Sequence, residues 1–358
     1  MNSSSLCSQC LRGDFPFSGR LLFSTNLLLS ILTMRSLFAA LLLSATLFAQ
    51  APLKPPSAGD AARIAEFYRL APEIEDKVWP GWSKVLAPLV LLTADTEYLT
   101  RFPDPPKEFQ KVGDDMYARP RQFQPNLQAT FPAFGFPPVI VLGEPASTSS
   151  KTSTPWLMVV MHEHFHQMQW AQPDYVKAIN DLGLSKGDTT GMWMLNYPFP
   201  YDVPEIAQSF EHLRDTLLAA LAEVDQQKFA PLAKAYLKER KMFFTQFLPG
   251  DRKYFSFQLW QEGVARYTQI KAAEAAADYR PSAAFAALPD YTPFSAYALT
   301  ARARTLDELK HIDITQAKRE VVYSFGAAEA LLLDRVNPDW KSQYWQHLLT
   351  TDPLFPKP

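Results

Sequence analysis

Proline placement most strongly limits what this chain of 358 residues can form. Eight of its 30 prolines fall within residues 103–138, which rules out a long helix there. Short runs rich in Leu, Val, Thr and Tyr flank this stretch, at 86–93, 97–102 and 139–142, and predict β-strands. The first half of the domain is therefore expected to build a sheet from short strands.

The pattern changes after Pro155, where charged and bulky apolar residues recur at helical spacing. A proline suits the first turn of a helix, so residues 156–170 are expected to be helical. Further helices are predicted at about 60–77, 203–224, 227–247, 254–276, 316–336 and 338–349. The predicted fold is α+β, with a mixed sheet in the N-terminal half packed on a mainly helical C-terminal half and an active-site cleft between them.

The N-terminal region has the layout of a targeting segment. Residues 34–49 have a positive start at Arg35, an apolar run and then small residues, which predicts a secretory signal peptide cleaved after Ala49. Residues 1–33 are then an upstream extension of doubtful origin. The expected location is secreted or periplasmic, and the alternative is an N-terminal membrane anchor within residues 21–49.

The remainder is expected to form a linker and one domain. Proline and small residues at 50–59 predict the linker. The domain would span residues 60–358, with 60–154 as its α/β half and 155–358 as its helical half. No later apolar run approaches 18 residues, so no stable membrane span is expected in the mature chain.

Composition excludes several classes of function. Lys and Arg total 35 against 37 acidic residues, and this net charge of −2 does not indicate a nucleic-acid partner. The 13 glycines form no dinucleotide-binding or P-loop motif. Cys7 and Cys10 are the only cysteines, so a chain cleaved after Ala49 has neither a disulfide nor a thiolate ligand.

Three of the six histidines stand in one short segment, and His162, Glu163 and His166 spell H-E-x-x-H. Positions i and i+4 of a helix differ by about 40° around its axis, so both imidazoles can bind one metal ion. Glu163 then lies beside the metal, where it can take a proton from water. Zn²⁺ with three protein ligands activates water, so the motif predicts a zinc hydrolase with Glu163 as general base.

His164 needs a separate interpretation. On a helix it points about 200° away from His162, so it is expected to be packed or hydrogen-bonded and not a ligand. On a strand, His162, His164 and His166 would share one face, as in a barrel metallohydrolase that uses His162 and His164. The length of the segment and Pro155 at its start favour the helix.

A third ligand must come from elsewhere in the chain. The metzincin extension fails, because Gln169 and Gln172 stand where it needs glycine and histidine. Residues 260–267 read WQEGVARY, and with H-E-x-x-H they make residues 139–335 resemble the glutamate-ligand branch of the zincin metallopeptidases, the gluzincins. This resemblance implies a zincin-like fold and Glu262 as the third zinc ligand.

The resemblance has further implications. Gly263 and Ala265 would be the small residues that let two helices pack closely, and 139–142 the edge strand that pairs with an extended peptide. Tyr323 would face the developing oxyanion, the alternative being a tyrosine packed on an amphipathic helix. Arg266 stands where thermolysin-like members carry an aspartate, so the group that orients a zinc-bound histidine stays unassigned.

These observations predict an exported zinc-dependent metallopeptidase acting on a peptide or protein substrate. The expected metal ligands are His162, His166 and Glu262, and the expected catalytic residues are Glu163 and Tyr323. The alternative is a secreted metal- or substrate-binding protein on the same fold without turnover. A general base at Glu163 argues against that alternative, because a site that only binds has no need of one.

Overall fold

The computed structural model describes residues 53–357. The predicted signal peptide at 34–49, the extension at 1–33 and both cysteines lie outside this range. None of the helices within it combines the length and apolar character that a bilayer span requires.

A six-stranded mixed sheet forms the N-terminal half and confirms the predicted α+β class. Its order is β3-β4-β2-β1-β6-β5; β1 and β6 are parallel and all other neighbours antiparallel. The strands are β1 (Leu89–Leu92), β2 (Thr96–Thr100), β3 (Gln110–Gly113), β4 (Met116–Pro120), β5 (Gln128–Phe131) and β6 (Val139–Gly143).

The expectation that residues 139–142 form an edge strand is wrong. β6 lies between β1 and β5, and the edge beside it is β5. The prolines of 103–138 exclude a long helix but leave room for strands of four or five residues between them, and β3, β4 and β5 occupy that room. Three strands of the sheet were thus not predicted.

The C-terminal half is mainly helical. The helices of the described range are α1 (Ala58–Val78), α2 (Ser153–Trp170), α3 (Tyr175–Asp181), α4 (Trp193–Asn196), α5 (Pro204–Ala222), α6 (Gln226–Thr245), α7 (Pro249–Gln258), α8 (Val264–Ala275), α9 (Ala283–Ala286), α10 (Phe294–His311), α11 (Ile314–Ala317), α12 (Val321–Val336) and α13 (Trp340–Tyr344). The predicted helices at 60–77, 156–170, 203–224 and 227–247 are confirmed as α1, α2, α5 and α6 within a few residues.

Three other predicted helices differ from the structure. Residues 254–276 comprise the end of α7, a π-helical segment at Leu259–Gly263 and α8. The helix predicted at 316–336 begins only at α12, after a 3₁₀ turn at Lys318–Glu320. Only α13 is an α-helix within 338–349, and α10 was not predicted. Hydrophobic periodicity thus locates the helical regions but not the interruptions within them.

α2 lies between the sheet and the later helices. One face of the sheet, including Leu89 and Ile140, packs into the large core that α1 and α2 share, and the other face forms a smaller apolar cluster. α2 contacts β5 and β6 on one side and α8 on another, and its side chains from Ser153 to Gln169 are almost all buried. A helix enclosed in this way can hold polar groups away from bulk water.

Candidate metal centre

Two imidazoles face each other on α2. The predicted helix at the H-E-x-x-H motif is confirmed, and one turn of it brings His162 Nε2 to 3.2 Å from His166 Nε2. Both side chains are buried. The rings meet edge to face, with planes 80° apart, and their Nε2 atoms are the nitrogens that approach each other.

Glu262 lies opposite these imidazoles, within the π-helical segment between α7 and α8. Its Oε2 is 3.3 Å from His166 Nε2 and 3.6 Å from His162 Nε2. The Glu262 side chain is 17% exposed, against 8% and 7% for the two imidazoles, so water reaches the cluster from the glutamate side. The structure therefore brings together the three residues expected to bind metal.

The three distances match the geometry that zinc requires. Bonds of about 2.0–2.1 Å in a tetrahedron place neighbouring ligand atoms about 3.3 Å apart. The observed separations between the two nitrogens and Oε2 are 3.2, 3.3 and 3.6 Å. One cation can thus contact all three atoms, and a fourth position remains for a non-protein ligand.

Gln169 fixes the tautomer of His166. Its Nε2 faces three oxygens, at 3.2 Å from Trp260 O, 3.1 Å from Gln261 O and 2.8 Å from the Tyr344 hydroxyl. Its Oε1 is thereby left as an acceptor, and it lies 2.6 Å from His166 Nδ1. Nδ1 must donate, so Nε2 keeps its electron pair for a cation. A carboxamide fills the orienting role that the sequence left unassigned.

The pKa values of the trio reflect this close contact. Burial alone would lower the pKa of His166, but the adjacent Glu262 carboxylate raises it to about 9. Burial would raise the pKa of Glu262, yet the His166 cation, hydrogen bonds from both imidazoles and the Arg319 charge hold it well below its ordinary value. Burial lowers the pKa of His162. In the metal-free chain the Glu262 carboxylate therefore favours the protonated form of His166.

Glu163 is held beside the trio by the edge strand. Thr130 of β5 places its Oγ1 2.9 Å from Glu163 Oε2 and 2.9 Å from the Glu163 backbone oxygen. The Glu163 charge acts on the pKa of both His162 and His166. The carboxylate expected to act as general base is thus near enough to influence both imidazoles, and Thr130 contacts one of its oxygens.

Tyr323 of α12 also lies at the cluster. Its ring stacks on that of His162, with centroids 6.1 Å apart and planes 25° apart. Its hydroxyl accepts a hydrogen bond from Arg319 Nη2 at 3.0 Å. Arg319 belongs to the 3₁₀ turn at Lys318–Glu320, and its Nη1 is 3.6 Å from Glu262 Oε1.

His164 lies away from the trio, as expected for a helix. Its Nε2 is 2.8 Å from Glu75 Oε1 of α1, and its ring stacks on Trp82. The barrel alternative required a strand that would place His162, His164 and His166 on one face. The helical geometry of α2 excludes that arrangement.

Three residues of the cluster were missed at the sequence level. Gln169 had a readable signal, because it follows His166 by three positions and shares its helix face. Thr130 stands in the proline-rich stretch, where no strand was predicted. Arg319 reaches the cluster from a 3₁₀ turn inside a predicted helix, and no local pattern indicates such a contact.

No protein family model, curated protein or solved structure matches this chain.

Proposed function

We propose that the protein is a zinc-dependent hydrolase of the zincin type, most specifically a peptidase. The observation that supports this most strongly is the triangle of His162 Nε2, His166 Nε2 and Glu262 Oε2, whose edges of 3.2–3.6 Å suit one tetrahedral zinc ion. The segment 260–267 and the H-E-x-x-H motif add the likeness to gluzincins.

The donor set fits zinc. Two imidazole nitrogens and one carboxylate oxygen are ordinary zinc ligands, and three protein ligands are typical of catalytic zinc sites. Zinc bound there would polarise a substrate carbonyl and lower the pKa of a coordinated water to about 7. His162, His166 and Glu262 would hold the ion, and Gln169 would keep His166 in the tautomer that binds it.

Glu163 and Tyr323 would carry out the proton transfer and the oxyanion stabilisation, respectively. Glu163 takes a proton from the attacking water and passes it to the leaving amine, in the orientation that Thr130 maintains. The Tyr323 hydroxyl donates to the oxygen on which negative charge develops. Both side chains lie beside the imidazoles, so neither role requires a large rearrangement.

A peptide is the substrate class that suits the neighbouring sheet edge. β5 pairs only with β6 among the described strands, so its other side leaves backbone groups for an extended chain. Thr130 belongs to β5 and contacts Glu163. A peptide paired with β5 would therefore pass the general base, and cleavage of peptides or proteins by an exported enzyme follows as the proposed role.

Glu163→Gln and His166→Ala test this proposal together. We expect the Gln variant to keep one zinc per chain and lose hydrolysis of a peptide library by at least 10²-fold, the low end of general-base contributions. The Ala variant should lose both zinc and turnover. Full activity in Glu163→Gln would remove that residue from the mechanism.

An activity measurement on the zinc-loaded wild type distinguishes a peptidase from a protein that only binds metal. A zinc-loaded wild type that cleaves no peptide would contradict the peptidase proposal and favour a secreted metal-binding protein. Because Glu163→Gln preserves size and shape, lost activity with intact zinc content separates a chemical role from a folding defect.

A further inference from the structure

Arg319 contacts two members of the proposed site without being assigned a task there. Its side chain is 13% exposed, its Nη1 is 3.6 Å from Glu262 Oε1, and its Nη2 donates to the Tyr323 hydroxyl at 3.0 Å. We infer that Arg319 is a positioning residue that determines which oxygen of Glu262 meets the metal and where the Tyr323 hydroxyl stands. This inference rests on the proposed function.

The two oxygens of Glu262 have different surroundings. Oε2 faces the imidazoles, at 3.3 and 3.6 Å, whereas Oε1 faces the Arg319 guanidinium. With one oxygen held by a cation, the carboxylate presents the other to the metal as a single donor. Single-oxygen binding keeps the protein ligands at three and leaves the fourth position for water or substrate.

The same guanidinium fixes the tyrosine. A hydroxyl that accepts a charge-assisted hydrogen bond is polarised and becomes a better donor. Gln258 Oε1 accepts from Arg319 Nη1 at 3.1 Å, which holds the guanidinium from the end of α7. Since the guanidinium is planar and rigid, it sets the spacing between Glu262 and the Tyr323 hydroxyl, and a lysine cannot reproduce it.

The charge of Arg319 indicates that its role is not to strengthen metal binding. A cation near a dication repels it, and Arg319 competes with the metal for the negative charge of Glu262. Removing Arg319 should therefore leave zinc affinity unchanged or higher. A residue needed only to support the fold would have the opposite effect, because a damaged site binds zinc more weakly.

Arg319→Ala, Arg319→Lys and the control Arg335→Ala test the inference. Arg335 is at the C-terminal end of α12, where it contacts Phe229 and Ala220 O, away from the cluster. With Co²⁺ replacing zinc, we expect Arg319→Ala to show weaker visible absorption, as Glu262 binds through both oxygens and the coordination number rises. Its kcat should fall about 10–100-fold with little change in KM, and zinc should bind at least as tightly.

Arg319→Lys should keep wild-type zinc affinity and still lose most of kcat, because one ammonium cannot hold both partners. Arg335→Ala should match the wild type in spectrum and kcat. Thermal unfolding of each variant shows whether it is folded.

Several outcomes would overturn the inference. One is an Arg319→Ala variant whose Co²⁺ spectrum and kcat are the same as those of the wild type. The others are full activity in Arg319→Lys, and an Arg319→Ala variant that folds but takes up no metal. A wild type that binds no metal overturns the proposed function and this role with it. If the wild type binds metal but cleaves nothing, only the peptidase proposal fails, and the Co²⁺ spectrum still decides whether Arg319 selects the Glu262 oxygen.

Discussion

Gln167 and Gln169 perform the same task for two histidines that face opposite ways. Each glutamine follows its histidine by three positions on α2, and each commits its Nε2 to oxygens fixed in the core. The remaining Oε1 then accepts from Nδ1 of His164 or His166. One ring is directed at Glu75 and the other at the metal trio. The proton on each Nδ1 thus follows from backbone carbonyls that the fold holds in place.

Gln169→Leu is predicted to weaken zinc binding about 10–100-fold, because His166 loses the acceptor that fixes its tautomer. Competition with a calibrated chelator measures the change. Gln167→Leu is the matched control, since it removes the same contact from His164 and should destabilise the fold while leaving zinc affinity near wild type. Equal zinc affinities in the two variants would contradict the assigned role of Gln169.

Zinc affinity is predicted to rise with pH. The pKa of His166 is raised from 6.5 to about 9 in the metal-free chain, so below pH 9 zinc must displace a proton. Apparent affinity should increase about tenfold per pH unit up to about pH 7, above which a coordinated water would release a proton as well. Titration calorimetry below about pH 7, in buffers of different ionisation enthalpy, should detect one proton released per zinc, and a pH-independent affinity would refute this.

The raised pKa also affects the stability of the metal-free protein. The His166 contribution is fully present below the unfolded-state pKa near 6.5 and is lost as the pH rises to about 9. With zinc in place of the proton, folded His166 would take up no proton, and stability would instead increase as the pH rises through the unfolded-state pKa near 6.5.

At the scale of elements, the π-helical segment carries Glu262, the proposed third ligand. It runs from Leu259 to Gly263 and inserts a wider turn between α7 and α8, which changes the direction in which Glu262 points. At the end of this segment, Gly263 contacts Gly326 where the segment crosses α12. A Cβ on either residue would lie 2.6 Å from the Cα of the other. The crossing therefore holds Glu262 in reach of α2.

Gly326→Ala is predicted to lower the free energy of unfolding by about 1–3 kcal/mol, despite the better helix propensity of alanine, because the added methyl meets backbone. It should also weaken zinc binding by displacing the π-helical segment. Gly59→Ala in α1 is the control: the nearest atom to its added methyl is Arg63 Nη1 at 3.4 Å, an ordinary van der Waals contact, so stability should be unchanged or slightly higher. Chemical denaturation of both variants measures the difference, and a stable Gly326→Ala with wild-type zinc affinity would argue against this crossing.

Elements with a strong local pattern were predictable from the sequence. α2 was predicted from its opening proline and its length, and α1, α5 and α6 from their amphipathic spacing. The π-helical segment was not predictable from the sequence. The extra residue in its turn depends on the crossing with α12 at Gly326 and not on a local helix-breaking residue. β5 was hidden for a similar reason, since its four residues gain stability only by pairing with β6.

On the scale of the whole molecule, the cluster draws on four separate parts of the chain. Thr130 comes from the sheet, His162 and His166 from α2, and Glu262 from the π-helical segment. Arg319 and Tyr323 come from the 3₁₀ turn at Lys318–Glu320 and the first turn of α12 that follows it. The H-E-x-x-H pair could be predicted because its spacing is local. Glu262 and Tyr323 were predicted from the resemblance alone. Thr130 and Arg319 reach the cluster only because the sheet and the helical half pack against α2. Local sequence patterns do not predict such long-range packing.

The most direct test is a crystal of the wild-type protein grown with Zn²⁺, with diffraction data collected on both sides of the zinc absorption edge. The account predicts one anomalous peak per chain, about 2.0–2.2 Å from His162 Nε2, His166 Nε2 and Glu262 Oε2. The absence of a peak at these atoms would contradict the account. So would a zinc ion bound elsewhere, with Glu262 outside its coordination shell.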